Sequence, residues 1–551
     1  LGWGMGFSWR ARSAVGARRR VVSLAATAAL MAALPTLALP ATGARADDTM
    51  AADQVTPEAR ADAEKAAETG EQVEVVGERT PYTTTFANPD GVTFTLNDSA
   101  VPVRVQKADG SWTQPDTTLE ARSDGTVGPK ASVAKISFSG GGSGADLVKL
   151  SLDGRSLTVG WPGTLPKPTL DGDSAVYADV LPGVDLRMTA TSEGYREVLI
   201  VTSASAASNP ELKELSFPVK ADGLALRDGG SDGLSAVDDD GNTVFRAPAA
   251  QQWDSAGDAT STASASSHAA SQASFTTTAQ DSTADETTRD DGEATPDPTE
   301  GPSDGDASAS LGVTAEQSTI KVTPDASMLA DDSAVFPQYI DPDVGMTASE
   351  RTLLSSDGDT FYNFSGGDSG KGVGYCGTYV TGGYAYYCGS GYKNRMYFEF
   401  SPAKLAGKHV LDATFTITEK WSMSCTPSWV DLVRTGNISS STNWPGPTAN
   451  WDLMVDRNVS AGRGSACDPS QPAAPIEFND NPDETNENLT STVTKFANGD
   501  FSRLTLMLKA HDESDPNSWK RFDDNAELKV KYVGIPAKPT KIGLVTGTGV
   551  A

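Results

Sequence analysis

The chain has 551 residues, with 44 Lys and Arg against 73 Asp and Glu, a formal net charge of −29, three histidines and four cysteines. An acidic balance of this size excludes nucleic-acid binding through backbone phosphates, which needs a basic face. It suits a soluble extracellular protein and is compatible with calcium, whose ligands are carboxylate and carbonyl oxygens.

Residues 1–46 have the layout of an export signal. Arg10, Arg12, Arg18, Arg19 and Arg20 precede an apolar run from Val21 to Leu34, and Ala44-Arg45-Ala46 offers small residues around a cut before Asp47. The run is shorter than the roughly 20 residues of a membrane span, so the mature chain is expected to keep no span. Cleavage removes six arginines and no acid, which moves the formal charge to −35. Residues 47–74 form a polar, partly helical segment. Ala59, Ala63, Ala66 and Ala67 share a helical face without large apolar side chains, which predicts a short, loosely held helix.

From 75 to 256 short apolar alternations are punctuated by turns. Asp90-Gly91, Asp109-Gly110, Asp124-Gly125 and Asp153-Gly154 each sit between strand-like runs, where glycine supplies a positive φ. Val101–Gln106, Lys149–Leu152, Val184–Thr189 and Glu197–Val201 read as strands, and Asn209–Leu215 as a capped helical turn. Residues 257–317 are mostly Ser, Thr, Ala, Asp and Gly, a composition expected of a disordered acidic linker.

A second β-rich domain is expected over 318–535. Phe336–Ile340 leads in. Tyr397–Phe400 and Ala413–Thr418 look like a hairpin pair, followed by strands at Trp429–Arg434, Leu504–Leu508 and Glu527–Tyr532. Met396, Phe398 and Phe400 alternate with Tyr397, Glu399 and Ser401 as in a half-buried strand. Leu489, Val493 and Phe496 share one face of a helix that stops at Asn498-Gly499. Residues 536–551 read as a linker to a following domain. The fold class is therefore all-β: two β-rich domains, the second a disulfide-bearing sandwich, separated by the linker.

Chemistry-bearing motifs are sparse. His268, His409 and His511 are too scattered for a Ser-His-Asp arrangement, and no G-x-S-x-G elbow is present. Gly140 to Gly144 lacks the lysine of a phosphate loop. These absences lead to the expectation that the chain is not an enzyme. Cys376, Cys388, Cys425 and Cys467 suggest two disulfides in an exported chain, the alternative being a four-cysteine zinc site with unusually wide spacing. Tyr375, Tyr379, Tyr384, Tyr386, Tyr387 and Tyr392 crowd around Cys376 and Cys388 as a candidate binding loop for glycans or protein surfaces, or as core packing over the disulfide. Trp421, Trp429, Trp444 and Trp451 read as core. No cofactor motif stands out. Asn479 to Glu484 could hold calcium or be a solvated acidic loop, and Glu513, Asp515, Lys520 and Arg521 read as surface ion pairs.

The segments RMYFEFSPAKLAGKHVLDATFTIT, LTSTVTKFANGDFSRLTLML and FDDNAELKVKY resemble the DNRLRE-type β-sandwich module. WSMSC, VDLVRTGNISSSTNW and ESDPNSWKRF, with DGTVGPKASVAKISFSGGGSG and DSAVYADVLPGVDLRM before the linker, resemble large secreted actinobacterial proteins often named for a later LamG-like domain. The resemblance implies architecture and carries no functional residue. The function expected is that of a secreted or cell-surface adhesion or carbohydrate-recognition module, with a glycan or envelope surface as partner. The alternative is the stalk of a larger secreted enzyme or toxin. Pairing Cys376 with Cys388 and Cys425 with Cys467 would staple the two long irregular connections of the second domain.

Overall fold

The computed structural model describes residues 55–535 except 229–233, 248–249, 257–296, 303–305, 342–349, 365–369, 382–383, 389–390, 485–486 and the single positions 145, 242, 317, 332, 378, 387, 402 and 440. The expected export signal, most of the expected linker (257–296), His268 and the residues from 536 on lie outside these residues. What is described is almost entirely antiparallel β-structure.

The first described element is a helix, Pro57–Thr69. Thr56 Oγ1 accepts from the Ala59 amide, Pro57 takes the first turn, and Gly70 ends the helix at φ 72°. Its alanine face is not loosely held. Ala59, Ala63 and Ala66 are buried, and a Cβ at Gly91 would lie 3.1 Å from Ala67 Cβ. Small side chains let the helix backbone lie close to a hairpin formed by Thr83–Ala87 and Thr93–Ser99.

That hairpin does not join the β-structure that follows it in sequence. Thr93–Ser99 pairs antiparallel with Glu527–Val533, in register from Thr93 opposite Val533 to Ser99 opposite Glu527. Glu527–Val533 in turn pairs with the long strand His409–Ser422, which also carries Ala474–Asn479 and Lys520–Phe522. The facing sheet runs Arg351–Ser355, Tyr392–Phe400, Leu504–Ala510, Ser428–Thr435, Asp452–Val459. Lys371–Cys376 links the two by pairing with both Lys520–Phe522 and Tyr392–Phe400. Between the sheets, Met396, Phe398, Phe400, Val430, Leu432, Leu506 and Leu508 meet Phe415 and Phe478, with Leu489, Val493 and Phe496 of the helix Leu489–Ala497 in the same core. Tyr392–Phe400 and His409–Ser422 are thus not a hairpin: they lie in opposite sheets, and Phe398 meets Phe415 across the core at 5.9 Å.

The remaining strands build a second core. An eight-stranded sheet from Gly312–Glu316 to Asp116–Ala121 and a seven-stranded sheet from Thr169–Asp171 to Ser308–Ser310 contribute side chains to it, including Phe138, Leu150, Tyr177, Leu186 and Tyr195. The boundaries read from sequence do not follow this pairing. Residues 73–99 belong to the sandwich, while Ser308–Ser310, Gly312–Glu316, Thr319–Thr323 and Gln338–Asp341 complete the sheets of the preceding region. The expected linker therefore ends earlier than 317, because Ala309, Val313 and Ala315 alternate well enough to serve as edge strands once a sheet is there to receive them.

Charged groups seal the junction between the two cores. Arg351 donates through Nη1 to Glu193 Oε2 at 3.1 Å and through Nε to the Phe364 carbonyl at 2.7 Å, while Tyr82 Oη donates to Glu193 Oε1 at 2.8 Å. Both charged side chains are under 10% exposed, at 8% and 7%. Substituting Arg351→Ala strands the Glu193 carboxylate in the junction, and urea unfolding is expected to show a loss of about 3–5 kcal/mol. A second consequence involves the seam between Thr93–Ser99 and Glu527–Val533. Burial, and then the charge of Glu527, push the Asp98 carboxyl up to about 7. The folded chain holds a proton there that the unfolded chain releases near pH 4, so this contribution is full in acid and is lost as pH rises from about 4 to about 7. Unfolding midpoints measured across that window should fall for the wild type and fall less for Asp98→Asn.

Candidate functional site

Strand alternation gives the sheet containing Tyr392–Phe400 an outer face that the sequence reading assigned to solvent. It is largely covered. Tyr397, Met507 and Val433 form a buried apolar row roofed by Ile438 and Trp444 from the connection 436–451, and Tyr397 Oη reaches the Pro445 carbonyl at 3.2 Å. In the row beside it, Glu399 is buried too. It accepts from Thr505 Oγ1 at 2.8 Å and is paired with Arg503, and burial pushes its carboxyl up.

On the other side of the apolar row lies a line of charge. In register across the strands it runs Arg395, Lys509, Asp431, Asp456. Arg395 forks onto both oxygens of Glu513 at 2.7 Å, and its guanidinium centre lies 4.4 Å from the Trp444 ring and 5.1 Å from the Trp451 ring. Lys509 Nζ donates to Asp431 Oδ2 at 3.0 Å, and His511 Nδ1 meets Asp431 Oδ1 at 2.9 Å. Burial, followed by Asp431, Glu484 and Glu487, pushes the Asp456 carboxyl up. At the margins of this line two indoles face solvent: Trp429, two residues before Asp431 on the same strand face, is 46% exposed, and Trp451 is 41% exposed. Both were read as core from the sequence. The signal that could have separated them is the phase of Trp429, which falls on the face of Asp431 and opposite to buried Val430 and Leu432.

The cysteines lie at one end of the sandwich. Cys376 is bonded to Cys388, and Cys425 to Cys467, which rules out the zinc alternative for these residues. The candidate tyrosines are not gathered into one described surface. Tyr392 stacks edge-on against Trp519 at 5.8 Å, in a cluster with Cys376, Met423 and Trp421. Tyr375 lies on its own glycines, since a Cβ at Gly377 or at Gly391 would come within 2.6 Å of it. The backbones of Tyr379–Thr381 and Tyr384–Tyr386 pair as a small hairpin. Tyr387 lies outside the described residues.

Other sequence candidates resolve into structural roles. Asp480 accepts from the Leu489 and Thr490 amides and so caps the helix Leu489–Ala497, and Asp515 caps the turn at Pro516–Ser518. Lys520 and Glu513 are not surface ion pairs: Lys520 is fully buried against Glu419 at 3.2 Å, and Glu513 is committed to Arg395. His409 begins the strand His409–Ser422. Asp456, Glu484 and Glu487 bring carboxylate oxygens within 4.8 Å of one another. Glu487 is already engaged by Arg457 at 3.1 Å. Among the described residues these three could together hold a hard cation such as calcium. No helix among the described residues is long and apolar enough to cross a membrane.

No protein-family model matches the chain, and no curated protein matches it. Among solved structures, exo-β-1,3-galactanase from Phanerochaete chrysosporium with β-1,3-galactotriose is 10% identical at a TM-score of 0.13, over 78% of this chain and 99% of that one. The same enzyme with galactose gives 9% and 0.12, over 78% and 100%. A Paenibacillus xanthan lyase gives 8% and 0.09, over 84% and 55%. The expectation that the chain is not an enzyme is withdrawn: the first two of these structures are of a galactanase. Likenesses at this level carry no argument for a fold or a reaction, and none is assigned.

The Cys425–Cys467 bond closes a connection of 42 residues and holds the segment after Val459 against the sandwich, where Ser460 Oγ donates to the Ser424 carbonyl at 2.6 Å. Replacing both cysteines by serine should cost about 4 kcal/mol by chain entropy. The check is urea unfolding followed by tryptophan fluorescence, which also reports on Trp421 beneath this segment.

Proposed function

We propose that the chain is the β-rich part of an exported, cell-surface or extracellular protein that recognises glycans on the outer face of its sandwich. The observation that carries this reading is the exposure of Trp429 and Trp451 at the margins of the line from Arg395 to Asp456. Exposed indoles on a strand and on the connection packed over the sheet offer flat apolar surfaces to sugar rings at low ordering cost, and the paired charges between them present fixed donors and acceptors to hydroxyl groups. The two disulfides and the signal-like first 46 residues support export. We also keep the DNRLRE-type module as the proposed family of the sandwich, on the sequence segments quoted above.

On a glycan array, the full chain is expected to bind a discrete set of neutral sugars. Trp429→Ala with Trp451→Ala should weaken that binding at least tenfold, about 1.4 kcal/mol, whereas Tyr384→Ala, Tyr386→Ala and Tyr387→Ala together should change it less. Binding indifferent to the tryptophans would remove the outer face from the reading. A secreted form whose mass places its first residue far from Asp47 would remove the export signal.

A further inference from the structure

We propose that Arg463, with Arg521 beside it on Trp421, is a binding site for the carboxylate of an acidic sugar, a uronate unit of a polysaccharide. The inference rests on the glycan reading above and assigns it a second, chemically distinct contact at the disulfide end of the sandwich.

The arrangement follows from three constraints. Trp421 and Arg521 are cross-strand partners in the pairing of His409–Ser422 with Lys520–Phe522, which sets the Arg521 guanidinium 5.2 Å from the Trp421 ring. Arg463 reaches the same ring, also at 5.2 Å, from the segment that the Cys425–Cys467 bond ties down. Gly462 makes this approach possible. It takes φ 80°, and a Cβ there would stand 2.0 Å from the Lys420 carbonyl oxygen, so only glycine lets the segment lie flush on the strand. Gly464 and Gln471 close the same segment by a β-bridge, and Gln471 Nε2 donates to the Cys425 carbonyl at 2.9 Å.

What sets Arg463 apart is its lack of a carboxylate. Arg351, Arg395, Arg457 and Arg503 each have an acid in contact. The Arg463 guanidinium has no ion pair and no hydrogen bond among the described residues, and its Nε is buried without a partner. A chain with 73 acidic residues did not lack candidates. The guanidinium charge is left without a counter-charge among the described residues, and an arriving carboxylate would accept from its Nη groups on the part-exposed side of the residue. The guanidinium fork matches a planar carboxylate in two parallel hydrogen bonds, and stacking on the indole holds the fork in place. The strong negative charge of the whole chain does not forbid this, since charges farther than about 10 Å from the Arg463 guanidinium are largely screened.

The test is affinity electrophoresis and calorimetry of the full chain with polygalacturonate, fully methyl-esterified polygalacturonate and dextran sulfate as probes, at low and high salt. Polygalacturonate should bind, the ester at least tenfold more weakly, and added salt should release the complex. Arg463→Gln should lose binding at least tenfold with the far-UV circular dichroism and the urea-unfolding midpoint of the chain unchanged, and Arg463→Lys, which keeps the charge without the fork, should fall between. Equal binding of the ester, or by Arg463→Gln, overturns the site. Dextran sulfate bound as tightly as polygalacturonate overturns the uronate assignment in favour of a general oxyanion. Binding of neutral array glycans without polygalacturonate overturns this inference and leaves the glycan reading standing, while binding of neither class ends both.

Discussion

The described structure turns on the buried contact of Arg351 with Glu193. Three separate pieces of chain meet there: Tyr82 from the N-terminal hairpin, Glu193 from the turn before Tyr195–Val201, and Arg351 from the first strand of the facing sheet. Each group needs the other two, because an ionised side chain withdrawn from water is tolerated only when its partners are in place. Arg351 also satisfies the Phe364 and Asn363 carbonyls, so the backbone entering the sandwich core is held by the same side chain. A neighbouring set, Arg246 of the strand Thr243–Ala247 with Glu350 and Arg503 with Glu350 and Glu399, extends the contact to the outer face of the sandwich. Among the described residues these groups tie the two cores together.

The constraint explains how the candidate site is supported. With the inner face of the strand Tyr392–Phe400 packed on phenylalanines and its outer face roofed by the connection 436–451, the strand has no freedom left at Arg395. That residue is then fixed from three sides, by Glu513, by the Pro445 carbonyl and by two indoles. Trp451 keeps its own place by donating from Nε1 to the Pro447 carbonyl. A ring held in this way meets a ligand with little rotamer entropy left to lose, which is the physical advantage of mounting recognition on a sheet instead of a free loop.

The disulfide end follows the same logic with covalent help. One disulfide ties Cys388 to the end of the strand Lys371–Cys376, and the other ties the segment 460–472 to Cys425 just after the strand His409–Ser422, beside the hydrogen bonds of Ser460 and Gln471. Arg463 reaches Trp421 only because Gly462 permits the close approach, so one glycine and one disulfide decide the placement of a guanidinium.

Local chemistry was legible in the sequence wherever it acts over a few residues. Asp-Gly pairs marked turns, alternation marked strands such as Val184–Ala190 and Leu504–Ala510, the 489, 493, 496 spacing marked an amphipathic helix, and the cysteines paired across the connections they close. Partnership was not legible. The alternation of Thr93–Ser99 announces a strand, yet nothing within it announces Glu527–Val533 as its neighbour, since backbone hydrogen bonds carry no label and the partner lies more than 400 residues away. Coverage was hidden for a related reason: Tyr397 and Glu399 look solvent-facing by pattern, and only the folding of 436–451 over them makes them buried. The same event leaves Trp429 and Trp451 outside. Sequence determined what each segment is, and tertiary structure alone decided what each segment faces, because burial is a property of two surfaces and a local pattern describes only one.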